Sequence, residues 1–531
     1  MRLRAVHWTG LGLLLMGALV VGTSADAAKT PSGHPFLLIG LDGGEWSVIE
    51  DQWSQGKMPN MKALVARGVR APLQTDYGWS PVIWTTIATG HDPDVHGITG
   101  FVVATPEGDV PVSSDLRHVP AIWNTTSQAG LKTHVLGWWG TWPAETISGI
   151  NITERCNGEL ERCATPTSAQ TQVRASLDKA NREHHKLWPG EQHFAPEDRV
   201  VSEWAPVLGA TPFDFMAMYI HGTDPNSHKF WRYYRPQDFP AGSVPKEGIE
   251  QFGGKIPKAY RSADVILGRV MESVGDDVNV VIVSDHGFHP LADVTLKVTY
   301  DFDKLLAELG FAILSPNGKV DVKASQMYTW SSALNERRKR VRFSLEGRDP
   351  GGKFTPEQAE KARLELESKL ALVTYSSGQP AFQLDLANAT DKERGGDFVV
   401  ISLQDGATKT LLVDGQKVKG VIKGMVENSG GHSGDPPGVF AAAGPDIDPN
   451  ADMSGIRIHD ITPTLLYGMG LAVADDMAGS AQMQLFKPEF RASNPLKTVA
   501  TYGERGDGKA SETTGEDEAV LEQLRQLGYI E

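Results

Sequence analysis

The chain has 531 residues, of which 40% are apolar and 22% charged, a composition typical of a globular protein with a large core. Its formal net charge of −15 argues against a nucleic-acid polymer as partner, because the two polyanions would repel each other. A small phosphate ester remains possible, because bound cations can reverse the field locally.

The first 27 residues are predicted to be an export signal that is removed from the mature protein. A basic start, MRLR, precedes the apolar run LGLLLMGALVV, and Ala25–Ala27 fit a small-residue cleavage site. A membrane anchor is the alternative, but this run is short for the ~30 Å of a hydrocarbon core. We therefore expect an exported protein, periplasmic or extracellular, that is not stably inserted in a membrane.

Apolar runs of strand length recur along the chain, and most are continuous instead of alternating. This pattern is typical of parallel strands covered on both faces. Helical patterns lie between them, such as residues 58–69 and residues 355–371, the latter opening with a Thr355–Gln358 capping box. The alternation predicts a doubly wound, mostly parallel α/β sheet with helices on both faces. The predicted strands are residues 36–41, 133–139, 213–220, 278–284 and 438–444.

The sequence predicts one catalytic domain over residues 28–490, interrupted by two insertions that fit the sheet poorly. Residues 155–205 are polar, and residues 300–425 mix a long helix with short strands, so we expect cap segments or lids. Residues 491–531 are predicted to be a polar tail that ends in a short amphipathic helix docked on the body. The two cysteines of the chain, Cys156 and Cys163, predict one disulfide, with a metal or redox pair as the alternative.

Four loops beside the predicted strands contain aspartate or histidine. Because open α/β sheets bind ligands at the carboxyl ends of their strands, we expect these side chains to lie together. The six residues are Asp42 after the first strand, Asp224 and His228 after the third, Asp285 and His286 after the fourth, and His432 in a Gly-rich loop before the fifth.

Each of these residues alone fits a structural role, since an aspartate after a strand is commonly a turn residue or a helix N-cap. Together, three carboxylates and three imidazoles suit Zn²⁺. Six ligands predict two divalent ions, and ions about 3.5–4 Å apart can stabilise both oxygens of an in-line displacement.

The nucleophile is predicted in residues 77–101, where Ser80, Thr85, Thr86 and Thr89 are the candidate hydroxyls. A hydroxyl at a helix N-terminus beside a metal ion is activated without a histidine base. Ser80 is also predicted as an N-cap ahead of Pro81, and capping alone is the alternative role. The aromatic side chains of Trp79, Trp84 and Phe101 are candidates for stacking on a leaving group, with core packing as the alternative.

These pieces together resemble the alkaline phosphatase superfamily, and within it the type I phosphodiesterase/nucleotide pyrophosphatase branch. The motifs LIGLDG, SPVIWTTIATGHDPDVHGI, YIHGTDPNSH, SDHGF and GGHSGDPPGVFAAAGP occur in family order over most of residues 36–480. The resemblance implies a covalent phospho-enzyme that water at the second metal site hydrolyses. The implied ligands are Asp42, Ser80, Asp285 and His286 for the first metal ion, and Asp224, His228 and His432 for the second.

The sequence departs from that family at two positions. Ser80 stands where the nucleophile is commonly threonine, and Phe101 stands where an asparagine helps to hold a phosphoryl oxygen. Both departures weaken the expectation of a nucleotide substrate, but not that of hydrolysis. No arginine lies next to Ser80 to bind a phosphate dianion, which favours diesters as substrates.

Three other functions remain open. A phosphomonoesterase or a phosphonate hydrolase could use the same site, whereas a sulfatase is disfavoured because SPVIW lacks the arginine of that motif. A degenerate, non-enzymatic binding protein is the third alternative. The intact set of seven site residues argues against it.

Overall fold

The computed structural model describes residues 30, 32–105, 108–156, 162–175, 196–316, 318–330, 338–349, 351–385, 397–403, 410–505, 517, 520, 521 and 524. The predicted export signal lies outside this part of the chain. Among the described residues, none of the helices combines the length and apolarity needed to cross a membrane. The disulfide between Cys156 and Cys163 is present, as predicted.

The strands that form in the described residues are mostly short. In chain order they are β1 (Phe36–Leu41), β2 (Val69–Leu73), β3 (Val102–Thr105), β4 (Gly108–Pro111), β5 (Thr133–Leu136), β6 (Asn151–Ile152), β7 (Ala164–Thr165), β8 (Phe215–Ile220), β9 (Asn279–Val283), β10 (His289–Tyr300), β11 (Met327–Thr329), β12 (Arg338–Phe343), β13 (Val373–Tyr375), β14 (Phe382–Asp385), β15 (Phe398–Ser402), β16 (Leu411–Val413), β17 (Gln416–Val418), β18 (Ile422–Gly431), β19 (Gly438–Ala443), β20 (Val473–Ala474) and β21 (Thr498–Val499).

The helices alternate with these strands in the first half of the chain. They are α1 (Trp46–Ser54), α2 (Pro59–Ala66), α3 (Ser80–Thr89), α4 (Pro93–His96), α5 (Ile122–Gln128), α6 (Pro196–Gly209), α7 (Thr223–Tyr234), α8 (Lys246–Phe252), α9 (Lys255–Val274), α10 (Phe302–Glu308), α11 (Pro356–Leu370), α12 (Ile461–Gly468) and α13 (Pro488–Ser493).

An eight-stranded sheet in the order β2–β19–β9–β1–β8–β5–β6–β7 forms the centre of the fold. Strand β1 pairs in parallel with β8 and β9, and β5 pairs in parallel with β8. Successive β1 side chains enter two different apolar cores, with Leu37 and Ile39 on one face and Phe36 and Leu38 on the other. The predicted α/β class with a mostly parallel sheet is therefore confirmed.

Two strands of this sheet depart from the parallel arrangement: β7 runs antiparallel to β6 at one edge, and β19 runs antiparallel to both β9 and β2. The continuous apolar sequence of β19 indicates burial on both faces, which does not fix strand direction. A strand that runs opposite to its neighbours begins at the edge of the sheet where those neighbours end. The loop before β19, which contains His432, therefore reaches the carboxyl edge of β1, β8 and β9.

Residues 298–421 build an apolar core of their own, distinct from the two cores that cover the central sheet. The antiparallel ribbon of β10 and β18 leads into this region, and its register pairs His289 with Gly431 and Tyr300 with Ile422. The two ends of the insertion therefore lie side by side. This region is the part of the structure that corresponds to the second predicted insertion.

Beyond residue 505, the four described residues contact the body of the protein and are here called the C-terminal docking residues: Asp517, Val520, Leu521 and Leu524. The three apolar members pack with Phe101 and Trp139. Asp517 forms a buried ion pair with Arg155, with 3.0 Å between oxygen and nitrogen.

Candidate metal centre

Two glycines let the chain turn sharply after Asp42, which directly follows β1. Gly43 has a φ of +59°, and a Cβ there would lie 2.5 Å from the Phe288 ring and 3.1 Å from the Asp224 Cα. Its N–H donates to Asp285 Oδ1 at 3.0 Å. Because a side chain would not fit, glycine at this position allows the chain ends after β1, β8 and β9 to converge.

The first candidate metal group consists of Asp42, Asp285 and His286, whose ligand atoms lie within 4.8 Å of one another. All three residues are almost completely buried. Within the described part of the chain, Asp42 Oδ1, Asp285 Oδ2 and His286 Nε2 have no hydrogen-bond partner. Buried polar atoms are costly unless satisfied, and a divalent cation satisfies carboxylates and an imidazole together. The residues present therefore fit a metal ion.

Asp224, His286 and His432 form a second group by the same distance criterion. His228 lies beside it, with Nε2 3.4 Å from Asp224 Oδ1 and its ring 5.2 Å from that of His432. The rings of His286 and His432 stack at 3.7 Å between centroids. The structure brings the six ligand candidates together but places His286 in both groups, whereas the resemblance implies two separate sets.

Main-chain carbonyls orient two of the histidines. His228 Nδ1 lies 3.1 Å from the Gly430 carbonyl oxygen, and His286 Nδ1 lies 3.0 Å from that of Gly287. A Nδ1–H that donates to a carbonyl leaves Nε2 as the basic nitrogen. Both Nε2 atoms face Asp224 Oδ1, at 3.4 and 3.9 Å respectively.

The carboxylates concentrate negative charge in a buried part of the protein. Burial raises the pKa of the Asp285 carboxyl well above its ordinary range, and repulsion from Asp42 adds to the effect. Burial also acts to raise the pKa of Asp224, but attraction to His228 and His286 outweighs it and lowers that pKa. A bound cation would favour the ionised carboxylates and relieve their repulsion.

Residues outside the predicted ligand set hold Asp42 in place. The Tyr219 hydroxyl donates to Asp42 Oδ2, and His221 Nδ1 lies 3.0 Å from the same oxygen. Asp198 accepts the main-chain N–H groups of His221 and Gly222 at 2.7 and 2.8 Å. Neither Tyr219 nor Asp198 is among the residues predicted from the sequence. A hydroxyl near the end of an apolar strand was the only signal for Tyr219, and Asp198 had none.

The loop of His432 is held by a further histidine, His289. His289 Nε2 lies 2.8 Å from the Ser433 carbonyl oxygen, one residue after His432.

Ser80 is the first residue of α3 and not its N-cap, which corrects the sequence-based prediction. Trp79 has the extended cap backbone, and its carbonyl accepts from the N–H groups of Val82 and Ile83 at 3.0 and 3.1 Å. Pro81 therefore occupies the second helical position. This one-residue shift has little energetic consequence. The N–H groups of the first helical turn have no intrahelical partner, so proline, which has no N–H group, loses no hydrogen bond at either position.

The Ser80 hydroxyl differs from the other hydroxyls of α3. Thr85 and Thr89 donate to main-chain carbonyls four residues earlier, at 2.7 and 2.8 Å, and Thr86 Oγ1 lies 3.1 Å from His96 Nε2. Ser80 Oγ makes no hydrogen bond to any other described residue. Ser80 is thus the hydroxyl of this helix that is available for chemistry.

The start of α3 packs beside the elements that carry the ligand candidates. Trp84, one turn later on the same helix face, contacts Tyr219 with 5.0 Å between ring centroids. On the other side, a Cβ at Gly78 would lie 3.8 Å from Asp435 Oδ1, in the loop before β19. The start of α3 therefore lies between the end of β8 and the loop of His432.

The three aromatic candidates have different environments. Trp84 is fully buried in the core, whereas Trp79 is 46% exposed. Trp79 packs edge-to-face on the buried Phe101 ring at 5.9 Å, and Phe101 packs on Trp139 at 5.7 Å. Of the three, only Trp79 presents a broad open surface.

Comparisons with known proteins identify one family. The family model described as type I phosphodiesterase/nucleotide pyrophosphatase matches residues 36–408. No curated protein sequence matches the chain significantly. Among solved structures, an inactive form of murine ectonucleotide pyrophosphatase/phosphodiesterase 5 in complex with AMP is similar at 13% identity and a TM-score of 0.44, covering 86% of this chain and 100% of that chain. The human protein of the same name is similar at 13% identity and a TM-score of 0.43, covering 85% and 100%.

Proposed function

The chain belongs to the type I phosphodiesterase/nucleotide pyrophosphatase family, and we propose that it is a two-metal phosphodiesterase with Ser80 as nucleophile. The observation that carries the proposal is the buried group of Asp42, Asp285 and His286, three of whose atoms lack a hydrogen-bond partner among the described residues. The family match ends at residue 408, so the assignment of His432 rests on its geometry.

The six clustered side chains and Ser80 would hold two divalent ions, for which zinc is the proposed identity because carboxylates and imidazoles are mixed. When bound, such ions supply positive charge that favours an ionised hydroxyl and stabilises charge developing on phosphoryl oxygens. The proposed ligands are Asp42, Ser80, Asp285 and His286 for one ion, and Asp224, His228 and His432 for the other.

Ser80 supplies the attacking oxygen in this proposal. Its Oγ forms a bond to phosphorus while the bond from phosphorus to the leaving-group oxygen breaks, and the leaving group departs as an alcohol after taking up a proton. Water then attacks the phosphoserine, which releases a phosphate monoester and restores the hydroxyl. The dipole of α3 favours the negative charge that develops beside its first residue.

The proposed substrate is a small phosphate diester, and the proposed location is outside the cytoplasm. The disulfide between Cys156 and Cys163 supports export, because disulfides persist in oxidising compartments. The predicted signal at residues 1–27 supports it independently.

Metal analysis together with Ser80→Ala tests the mechanism. We expect close to two zinc ions per chain, and a loss of at least about 1,000-fold in kcat for a nitrophenyl phosphodiester in the variant. Thr85→Ala is the matched control, because it removes a hydroxyl from the same helix and should keep most of the activity. Fewer than one metal ion per chain, or full activity in Ser80→Ala, would overturn the mechanism.

A substrate panel separates the alternatives that use the same site. Nitrophenyl esters of phosphate as monoester and diester, and of a phosphonate, share one leaving group and one absorbance readout. The highest kcat/KM on the diester is expected. A preference for the monoester or the phosphonate would reassign the substrate but not the site, whereas bound metal without turnover of any ester would indicate a binding protein.

A further inference from the structure

The C-terminal docking residues contact the aromatic group that adjoins Ser80. Leu524 and Phe101 are both buried, and they share an apolar cluster in which Val520, Leu521 and Trp139 also pack. The docking residues thus cover Phe101, which lies 21 residues after Ser80 in the sequence and beside Trp79 in space. This is the first of two routes between the C-terminus and Phe101.

The second route is polar and ends at the same residue. Asp517 pairs with Arg155 at 3.0 Å, and their side chains are only 10% and 4% exposed. Arg155 also donates to the Val112 carbonyl, and the Val112 N–H donates to the Phe101 carbonyl at 3.0 Å. A buried ion pair is geometrically demanding and costly to break on one side only. Phe101 is therefore fixed through both its ring and its main chain.

Phe101 in turn supports Trp79. The two rings meet edge-to-face at 5.9 Å and 87°, and Trp79 directly precedes Ser80. The indole is 46% exposed, so it presents area to solvent next to the proposed nucleophile. Aromatic pairs in stacked or edge-on contact add about 2- to 10-fold in affinity beyond the area they bury. An exposed indole held at a fixed angle is a suitable surface for a planar group.

We propose that the C-terminal docking residues are positioning residues for substrate: they hold Phe101, and through it Trp79, so that Trp79 stacks on a flat aromatic leaving group. This inference rests on the proposed function, because it places the leaving group beside Ser80. The docking residues touch no substrate themselves. Their effect is on the binding of aromatic ligands and not on the displacement at phosphorus.

Binding of two unreactive anions to the metal-loaded protein tests the proposal without turnover. Calorimetry with phenylphosphonate and methylphosphonate should show a preference of about 2- to 10-fold for the phenyl compound in the unaltered protein. Trp79→Ala should abolish this preference, and Leu524→Asp and Asp517→Asn should reduce it. Methylphosphonate affinity should stay unchanged in all three variants.

Two control variants separate positioning from general stability. Leu524→Met keeps an apolar side chain and should retain the phenyl preference. Leu496→Asp makes the same change as Leu524→Asp at a leucine that is 44% exposed, and should also retain it. Hydrogen exchange measured by mass spectrometry should accelerate in residues 76–84 and 98–104 of Leu524→Asp, but not in Leu496→Asp.

Equal affinity of the unaltered protein for both phosphonates would overturn the proposal, as would an unchanged preference in Leu524→Asp. An equal loss of both affinities in Leu524→Asp would show a purely structural role and would also overturn it. Failure of the proposed function gives a different result from failure of this proposal. The unaltered protein would then hydrolyse no ester, whether or not it binds the phosphonates.

Discussion

Replacing Gly43 by alanine tests whether convergence of the three chain ends builds the metal centre. The new Cβ would lie 2.5 Å from the Phe288 ring, closer than non-bonded carbon atoms approach, and 3.1 Å from Asp224, which is a tight contact. The positive φ of +59° costs an alanine about 1–2 kcal/mol. The steric overlap costs about 1–3 kcal/mol more, because neither the ring nor the buried backbone can move freely. We expect a loss of about 2–5 kcal/mol in the free energy of unfolding.

Gly56→Ala is the matched control for this substitution. Gly56 has a φ of +69°, but no atom lies within 4 Å of the position that a Cβ would take, so alanine there carries only the conformational cost. Urea unfolding of both variants, loaded with zinc, separates the conformational cost from the steric cost. Metal analysis shows whether the site that includes Asp224 and Asp285 still binds zinc. The reasoning is refuted if Gly43→Ala is no less stable than Gly56→Ala and keeps its full metal content.

Three further outcomes are expected. Chelation of metal should lower the thermal unfolding midpoint and added zinc should restore it, because only the folded state brings the ligands together; scanning calorimetry would show no shift if the cluster binds no metal. The double variant Cys156→Ser/Cys163→Ser should lose about 2 kcal/mol of stability in urea, since the disulfide closes a loop of 7 residues, while kcat stays within about twofold. Burial acts to raise the pKa of Glu145, but Arg117 and Arg505 outweigh it and lower that pKa. Glu145→Gln should therefore lower the free energy of unfolding by about 3 kcal/mol at pH 7. This loss should shrink as the pH falls below about 4, because Glu145 itself becomes protonated as the pH passes through its lowered folded-state pKa. A loss that does not depend on pH would contradict the assigned ion pairs.

The central part of the candidate site was predictable because its ligand candidates are close in sequence to the strands that position them. Asp42 directly follows β1, and Asp285 follows β9 after one serine, so an apolar run that stops at a carboxylate marks both. His432 was placed at the correct edge by a partly wrong argument. Its loop precedes β19, and the sequence does not show that this strand is antiparallel.

Residues that support the ligands were harder to predict, because their contacts depend on segments far apart in sequence. Asp198 binds the main chain of His221 from helix α6, inside a polar stretch without any motif. The N-cap of α3 is Trp79, one residue before the predicted Ser80. Trp79 has the extended backbone of a cap, and tryptophan has no preference for that position that would have indicated it. The amphipathic spacing of the C-terminal segment predicted that it docks on the body. It did not predict where, and the contact between Leu524 and Phe101 is seen only in the structure.

The second insertion leaves and rejoins the chain at the carboxyl edge of the central sheet, beside the ligand candidates. Its ribbon begins at His289, three residues after His286, and ends at Gly431, one residue before His432. The predicted boundaries of 300–425 lay inside this ribbon, because its paired strands carry no apolar run that would attach them to the central sheet. Since the two strands pair side by side, a long insertion closes at little entropic cost between two ligand candidates that must stay close. Both ends of the insertion therefore lie within three residues of the candidate metal centre in the sequence, next to the two histidines whose rings stack at 3.7 Å.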